Sequence, residues 1–362
     1  MGTTKDPNMA ICNRYDFVLL FDVIDGNPNG DPDAGNLPRL DPQTGQGFTT
    51  DGCIKRKIRN AIEVIKGVEA QQPERDENLH DRMRYEIYFK HQGILNDINR
   101  RASKALGIEV VEGKVEDEVE DEGDGEEASS ANPVASKGSK KRGKKVSNPD
   151  TAPQRVEQAR QWMCRNFYDV RTFGAVMSTG VNAGQVRGPV QLTYARSVDP
   201  IVPLECGITR KSVNDQKKAR EQIEKHGYIT GTMGRSNKVP YGLYRGHGFI
   251  NPFLALGDGG TGFTYGDLRV FFDGLLRMFD FNPSSSQGTM GIRGVHLFEH
   301  ESKLGNARAS ELLERVRITP LSEDPDPEVR VKAPRKFDDY RNRIRVDSSS
   351  LPKGITYYEL PR

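Results

Sequence analysis

Glu116 to Glu127 packs nine acids into twelve residues, and Lys137 to Lys145 packs six bases into nine, with ASSANPVAS between them. Such a run has too little apolar surface to offset the entropy of ordering a core. It predicts a disordered insertion over 113–150, so the sequence on either side must supply the fold. The basic block would touch nucleic acid loosely or pair with the acidic one. Residues 113–150 hold seven Lys/Arg and ten Asp/Glu, a net of −3, against +2 for the whole chain, which leaves +5 elsewhere. That excess is modest, and any anion site must come from local clustering.

At 362 residues the chain has room for one large domain or two, and a hydrophobic content of 35% is enough for a core. Cys12, Cys53, Cys164 and Cys206 lie far apart with no CxxC pair. That spacing fits neither a disulfide framework nor a zinc site and points to a reducing, cytoplasmic setting. No apolar run approaches the ~20 residues of a membrane span. No signal peptide is expected, and Met9 is the expected natural start, with the first eight residues a vector remnant.

Tyr15 to Ile24 reads as a strand with Tyr15, Phe17, Leu19, Phe21 and Val23 on one face. DGNPNGDPDAGN follows as a turn-rich loop. Its opening matches a calcium loop, but position twelve is Asn36, not glutamate, and a strand precedes it. A helix over 51–66 follows, capped by Thr50 or Asp51, striped by Ile54, Ile58, Ile62 and Ile65, and stopped by Gly67. Lys55, Arg56, Lys57 and Arg59 crowd its first turns, where the helix dipole disfavours cations. A polyanion across the helix start would offset that cost; a solvated basic face is the plainer reading.

Residues 74–108 look helical, with Leu79, Met83, Ile87, Ile94 and Ile98 at helical spacing, and a short helix over 155–166 carries Trp162. FYDVRTFGAVMSTGVNAGQVRGPVQLTY, from Phe167 to Tyr194, reads as strand, glycine-rich turn, strand. Its Gly/Ser/Thr/Asn/Gln loop ends in Arg187, a means of holding a phosphate; an ordinary hairpin fits equally well. Residues 198–250 form an excursion with a polar helix from Ser212 to Lys225, boxed by Ser212 and Asp215 and poor in apolar residues. Thr264 and Asp267 box the next helix, whose stripe is Leu268, Phe271, Phe272, Leu275, Leu276 and Phe279. A strand over 292–299, a helix over 309–317 and a charged tail follow, with strand-like pieces at 328–331 and 355–360.

HLFEH, His296 to His300, matches a metalloprotease pattern that needs both histidines on one helical face. On a strand they would stand about 13 Å apart at ~3.3 Å per residue, too far to share a zinc ion. No G-x-S-x-G is present, so a nucleophile triad has no anchor.

Without the insertions the order is strand 15–24, helix 51–66, strands 167–177 and 188–196, helix 264–279 and strand 291–299. That is βαββαβ, an α+β, ferredoxin-like or RNA-recognition-motif core. The third strand lacks the aromatic RNA-stacking signature, so RNA binding would use loops and the first helix. Segment boundaries follow: 10–112 and 151–197 as core with the 113–150 insertion between, 198–250 as the excursion, 251–320 as core, and 321–362 as the tail.

VLLFDVIDGNPNGDPDAGNLPR, FTTDGCIKRKIRN, DVRTFGAVMSTG followed by RGPVQL, and VPYGLYRGHGFINP appear in that order. In these motifs the chain resembles the backbone subunit of type I-C CRISPR surveillance complexes (Cascade). The resemblance covers nearly everything except 113–150 and the last forty residues. It implies a hand-like shape on a modified RNA-recognition core, with a protruding thumb. It implies a non-catalytic subunit, without a cofactor, that polymerises along CRISPR RNA and presents the guide in segments to target DNA. The implied partners are the guide, target DNA through it, further copies and other Cascade subunits in a prokaryotic cytoplasm, with no membrane.

By the resemblance, the expected RNA contacts are Thr49, Thr50, Lys55, Arg56 and Arg59 at the first helix, and Met177, Ser178, Gln185 and Arg187 in the central loop. Met177 would be an apolar platform for a base or ribose, or else a core methionine. Thumb contacts would come from Arg210, Met233, Arg235 and Lys238. The rival reading is a metal-dependent RNA endonuclease using Asp31 and Asp33, as in type III backbone subunits.

Overall fold

The computed structural model describes residues 5–69, 84–107, 153–177, 182–330 and 332–361. Leu79, Met83, Ser178, Val331 and the whole 113–150 insertion lie outside the described residues.

In chain order the strands are β1 (Tyr15–Gly26), β2 (Gly30–Asp31), β3 (Leu37–Pro38), β4 (Gln46–Thr49), β5 (Gly174–Val176), β6 (Gln185–Arg187), β7 (Val190–Leu192), β8 (Ala195–Pro200), β9 (Leu204–Arg210), β10 (Thr232–Ile250), β11 (Thr289–His300), β12 (Val316–Ile318), β13 (Ile344–Val346) and β14 (Ile355–Leu360). The helices are α1 (Asp51–Glu69), α2 (Leu95–Ala105), α3 (Pro153–Asn166), α4 (Tyr168–Phe173), α5 (Gln216–His226), α6 (Tyr265–Arg277), α7 (Ala309–Glu314), α8 (Pro327–Arg330) and α9 (Asp338–Arg341).

The fold is mixed α+β around a central antiparallel sheet in the order β14-β11-β1-β10-β8-β4, with β7 also on β10. The alternation read in β1 holds. Phe17, Leu19, Phe21 and Val23 point to α1 and α6, where Ile54, Ile58, Ile62, Leu268, Phe271 and Leu275 meet them. Val18 and Leu20 face the other way, onto Phe298, Leu312, Leu313 and Val316. β1 is thus buried on both faces, which fixes its register firmly. α1 and α6 approach closely at Gly274, where a Cβ would stand 2.6 Å from Ile62 Cγ1.

α6 carries the expected capping box: Thr264 Oγ1 accepts from the Asp267 amide, and Asp267 accepts from the Thr264 amide at 2.9 Å. HLFEH lies on β11, as expected, and its histidines bond apart. His300 Nε2 lies 2.9 Å from Asp16 Oδ2, and His296 Nδ1 lies 2.8 Å from the Tyr357 hydroxyl.

Other expectations need correction. Residues 168–173 are helix α4, not the start of a strand, and only 174–176 are extended. The reason is tertiary: Asp169 and Arg171 are buried at 0% and 2% exposure, and their partners come from distant elements. Satisfying those charges outweighs a β propensity that is context-dependent anyway. Residues 188–196 divide between β7 and β8. The central strand beside β1 is instead β10, whose inner half, 239–250, lies at the middle of the sheet. Of the 198–250 segment, only 204–238 leave the central sheet. α1 continues through Gly67 to Glu69. α5 starts at Gln216 with Asp215, not Ser212, as its cap, accepting from the Lys218 amide at 2.8 Å. The 309–317 helix ends at Glu314, and 327–330 are helical instead of strand-like.

β9, α5 and the outer half of β10 make an arm. Every residue of β9 is exposed, and α5 buries none. β10 is continuous from arm into core, so the arm is an extension of the central strand.

Candidate functional site

Four cations lie in the first turns of α1, and the structure accounts for each. Lys55 is 3% exposed; its Nζ lies 2.9 Å from Asp51 Oδ2 and 5.9 Å from the centre of the Phe173 ring. Lys57 is also buried, donates to Gln287 Oε1 at 2.7 Å, and has its pKa lowered by burial. Arg59 Nε donates to Asp169 Oδ2 at 3.1 Å, with its guanidinium over Phe89 and Phe173 at 4.8 and 5.3 Å. Arg59 Nη2 is buried and has no hydrogen-bond partner among the described residues. Arg56 faces solvent, its Nη2 donating to His91 Nδ1 at 3.0 Å. Carboxylates, an amide and aromatic faces therefore offset part of the dipole cost.

The helix start is held by the preceding loop. Thr50 Oγ1 accepts from the Cys53 amide at 3.3 Å and donates to Asn29 Oδ1 at 3.0 Å. The same Asn29 oxygen accepts from the Thr50 amide at 2.9 Å. Thr49 is 1% exposed, and its hydroxyl has no partner among the described residues. Burial pushes the Cys53 thiol up, while Lys57, Arg56 and Arg39 pull it down, so three cations converge on this corner. Arg39 also lies 3.7 Å from Asp31 Oδ1, while Asp31 accepts from the Asp33 amide at 3.2 Å. These two acids belong to a turn and an ion pair. Among the described residues no group of three or more His, Cys, Asp or Glu is placed to hold a metal ion.

Phe173 links this corner to the central hairpin. Its ring lies against Lys55 and Arg59, and β5 starts one residue later. β5 pairs with β6, where Gln185 and Arg187 are exposed and Val186 is buried between them. Met177 is 1% exposed in a second core with Met163, Phe167, Ala183 and Val186. Ser178 lies outside the described residues.

Arg210, Met233, Arg235 and Lys238 all lie on the arm. Register puts Met233 and Arg235 on one face with Thr209 and Glu205, and Lys238 on the other with Leu204 and Ile208. Met233 is 86% exposed. Arg235 pairs with Glu205 at 3.1 Å in the open, and Arg210 bonds the Ser212 carbonyl and Asn214. The arm's root adjoins the helix corner through the chain: Gly26 pairs with Val239, and Asn29 holds Thr50.

The sequence reading passed over Arg39, His91 and Phe173 here, and the carboxylates that fix the frame. Asp169 accepts from Arg59 and from the Tyr88 and Phe89 amides at 2.7 and 3.1 Å. Asp267 holds Arg171 through two oxygens at 2.9 and 3.0 Å. The available signal was two charges, Asp169 and Arg171, inside an otherwise apolar run.

A family model described as CRISPR-associated protein Cas7 matches residues 13–347. A CRISPR-associated protein Cas7 from Haloferax volcanii is 44% identical over 55 residues, 15% of this chain and 16% of that protein's length. A chain of a solved CRISPR RNA-guided surveillance complex, pre-nicking, is 16% identical, with 79% of this chain and 75% of that one covered at a TM-score of 0.40. A chain of another CRISPR RNA-guided surveillance complex is 12% identical, with 91% and 78% covered and a TM-score of 0.37.

Proposed function

The chain belongs to the CRISPR-associated protein Cas7 family, and from that premise we propose that it is a non-catalytic backbone subunit of a type I-C Cascade, polymerising along CRISPR RNA. Copies present the guide in segments for pairing with target DNA, beside the other Cascade subunits in the prokaryotic cytoplasm. No helix among the described residues is long and apolar enough to cross a membrane.

The observation that carries this reading is the arm. β9 is exposed along its length and α5 has no buried residue, only Ala219 and Gln222 being half-buried, yet residues 204–238 extend the central strand. An element without a core of its own is suited to reaching a partner. It is read as the thumb, with Met233, Arg235, Arg210 and Lys238 contacting the guide or the next copy. The strand order β11-β1-β10-β7/β8, with α1 and α6 on one face, supports a modified ferredoxin-like core in which 190–200 is the second strand and 232–250 the third.

At the palm, the exposed side chains Arg56, Gln185 and Arg187 are proposed to meet the guide's phosphates and sugars directly. Thr50, Lys55 and Arg59 hold the helix start that presents them, and Thr49 and Met177 pack behind. This interface grips backbone, so its affinity should be insensitive to sequence.

The test is a titration of unrelated single-stranded RNAs with wild type and Arg56→Ala. The variant should weaken binding to all of them alike and lower the slope of log K against log salt by about one. A loss confined to some sequences would contradict backbone gripping.

A further inference from the structure

Residues 316–346 lie between β11 and β14 of the central sheet and are closed at the neck where β12 pairs with β13 as a separate two-stranded sheet. The lobe between lies on the outer face of the sheet, at the root of the arm. Its Leu321 and Tyr340, 5% and 0% exposed, are buried with Tyr241 and Leu243 of β10, and Val198 of β8 packs against them.

Three sets of contacts fasten it, through Asp199, Tyr241 and Arg293. Asp199, itself 5% exposed, accepts from the Leu321 and Ser322 amides, both at 2.9 Å, and from the Tyr340 hydroxyl at 2.6 Å. The Tyr340 ring also stacks on Tyr241 at 6.3 Å. Tyr241 in turn donates to Asp22 Oδ2 at 3.1 Å, an oxygen that also takes Arg293 Nε at 2.8 Å. The Arg293 guanidinium lies over Phe337 of the lobe at 5.1 Å.

The positions of these contacts give them their meaning. Asp199 is the last residue but one of β8, just before the chain turns into β9. Tyr241 follows closely on Lys238, the last β10 residue paired with β9. The lobe therefore grips both legs of the arm where they leave the body. A two-stranded ribbon with no buried face is marginal alone, so its direction must be set at its root.

We propose that the C-terminal lobe is a clamp that fixes the direction of the arm, with Asp199 and Tyr340 as its positioning residues. They act through the arm's two legs. What the arm's direction serves rests on the function proposed above; the clamp is tested without RNA, so the two ideas fail separately.

The experiment is a distance distribution between spin labels on the full chain. Cys206 on β9 is exposed and takes one label; Lys303→Cys, at the far end of the sheet, takes the other, with Cys12→Ser and Cys53→Ser to keep labelling specific. Along β10 the span is about 45 Å at ~3.3 Å per residue. The parent should give one narrow distribution. Tyr340→Phe and Asp199→Asn should each widen it at least twofold, with unchanged circular dichroism. If Asp199→Asn does not fold, Tyr340→Phe, which keeps the ring stack, decides. An unchanged width in Tyr340→Phe, with protease sensitivity rising only within 321–341, would show the lobe to be a mere cover and overturn the proposal.

Discussion

Asp267→Ala should cost about 4–6 kcal/mol of stability, from two separable losses. Asp267 is fully buried and grips Arg171, whose side chain is 2% exposed, through both oxygens. Removing the acid leaves that guanidinium buried and without its carboxylate, a loss of about 3–5 kcal/mol. The carboxylate also accepts from the Thr264 amide at the start of α6, and losing that cap costs about 1 kcal/mol. Arg84, a third partner at 3.2 Å, is a third exposed and turns to water, so it adds little. The total is a large share of the roughly 5–15 kcal/mol that folded proteins possess. Urea unfolding at pH 7 reads it. The control is Asp267→Ala with Arg171→Met, which should recover at least about 2 kcal/mol because no charge is left stranded. Acid supplies a second check. Burial works to raise the Asp267 pKa, but Arg171 outweighs it and holds the carboxyl below its ordinary value. A depressed carboxyl stabilises above the unfolded pKa of about 3.9 and loses that contribution as pH falls through the folded value. The gap between wild type and variant should therefore narrow in acid. A single variant within about 1 kcal/mol of wild type, or a double variant as unstable as the sum of its parts, would refute the reasoning.

Burial, helped by Arg245, pushes the His247 pKa down to about 4. The unfolded chain then takes up this proton first, so the contribution is present above about 6.5 and lost as pH falls from 6.5 towards 4. His247→Phe should flatten stability against pH in that window; an unchanged acid limb would count against it. Replacing 204–238 by a short Gly/Ser linker should change core stability by less than about 1 kcal/mol, since β9 and α5 bury nothing; a chain that no longer melts cooperatively would contradict a core-independent arm. Gly274→Leu should destabilise by about 1–3 kcal/mol in thermal melts, because even its Cβ would stand 2.6 Å from Ile62; a neutral result would mean that α1 and α6 part more easily than this packing implies.

Much of the frame was legible from residues alone. The period-two pattern of Tyr15 to Val23 gave β1 and its inward face, and the Thr264/Asp267 box with its Leu/Phe stripe gave α6. Gly291 and Gly294 before HLFEH, with Val295, Leu297 and Glu299 alternating with the histidines, correctly argued for a strand. β10 was harder to see because its glycines read as turns. Gly248 is there because the Phe17 ring lies where a Cβ would be, with ring atoms 2.0 Å from that position, and no local pattern encodes a ring arriving from another strand. α4 was hidden for the same reason: Asp169 and Arg171 find their partners at Arg59, Tyr88 and Asp267. At the helix corner, sequence located the cations but not their environments. Lys55 and Arg59 are buried and Arg56 is exposed, a division set by Phe173 and Asp169 across more than a hundred residues of chain.

The central claim is assembly along RNA, and mass measurement of complexes formed on single-stranded RNAs of increasing length, with Mg²⁺ present, tests it most directly. The account predicts that copies add one at a time as the RNA lengthens, at a constant number of nucleotides per copy, and that the RNA stays intact. A single bound copy at every length would contradict the polymer, and cleaved RNA would contradict the non-catalytic backbone.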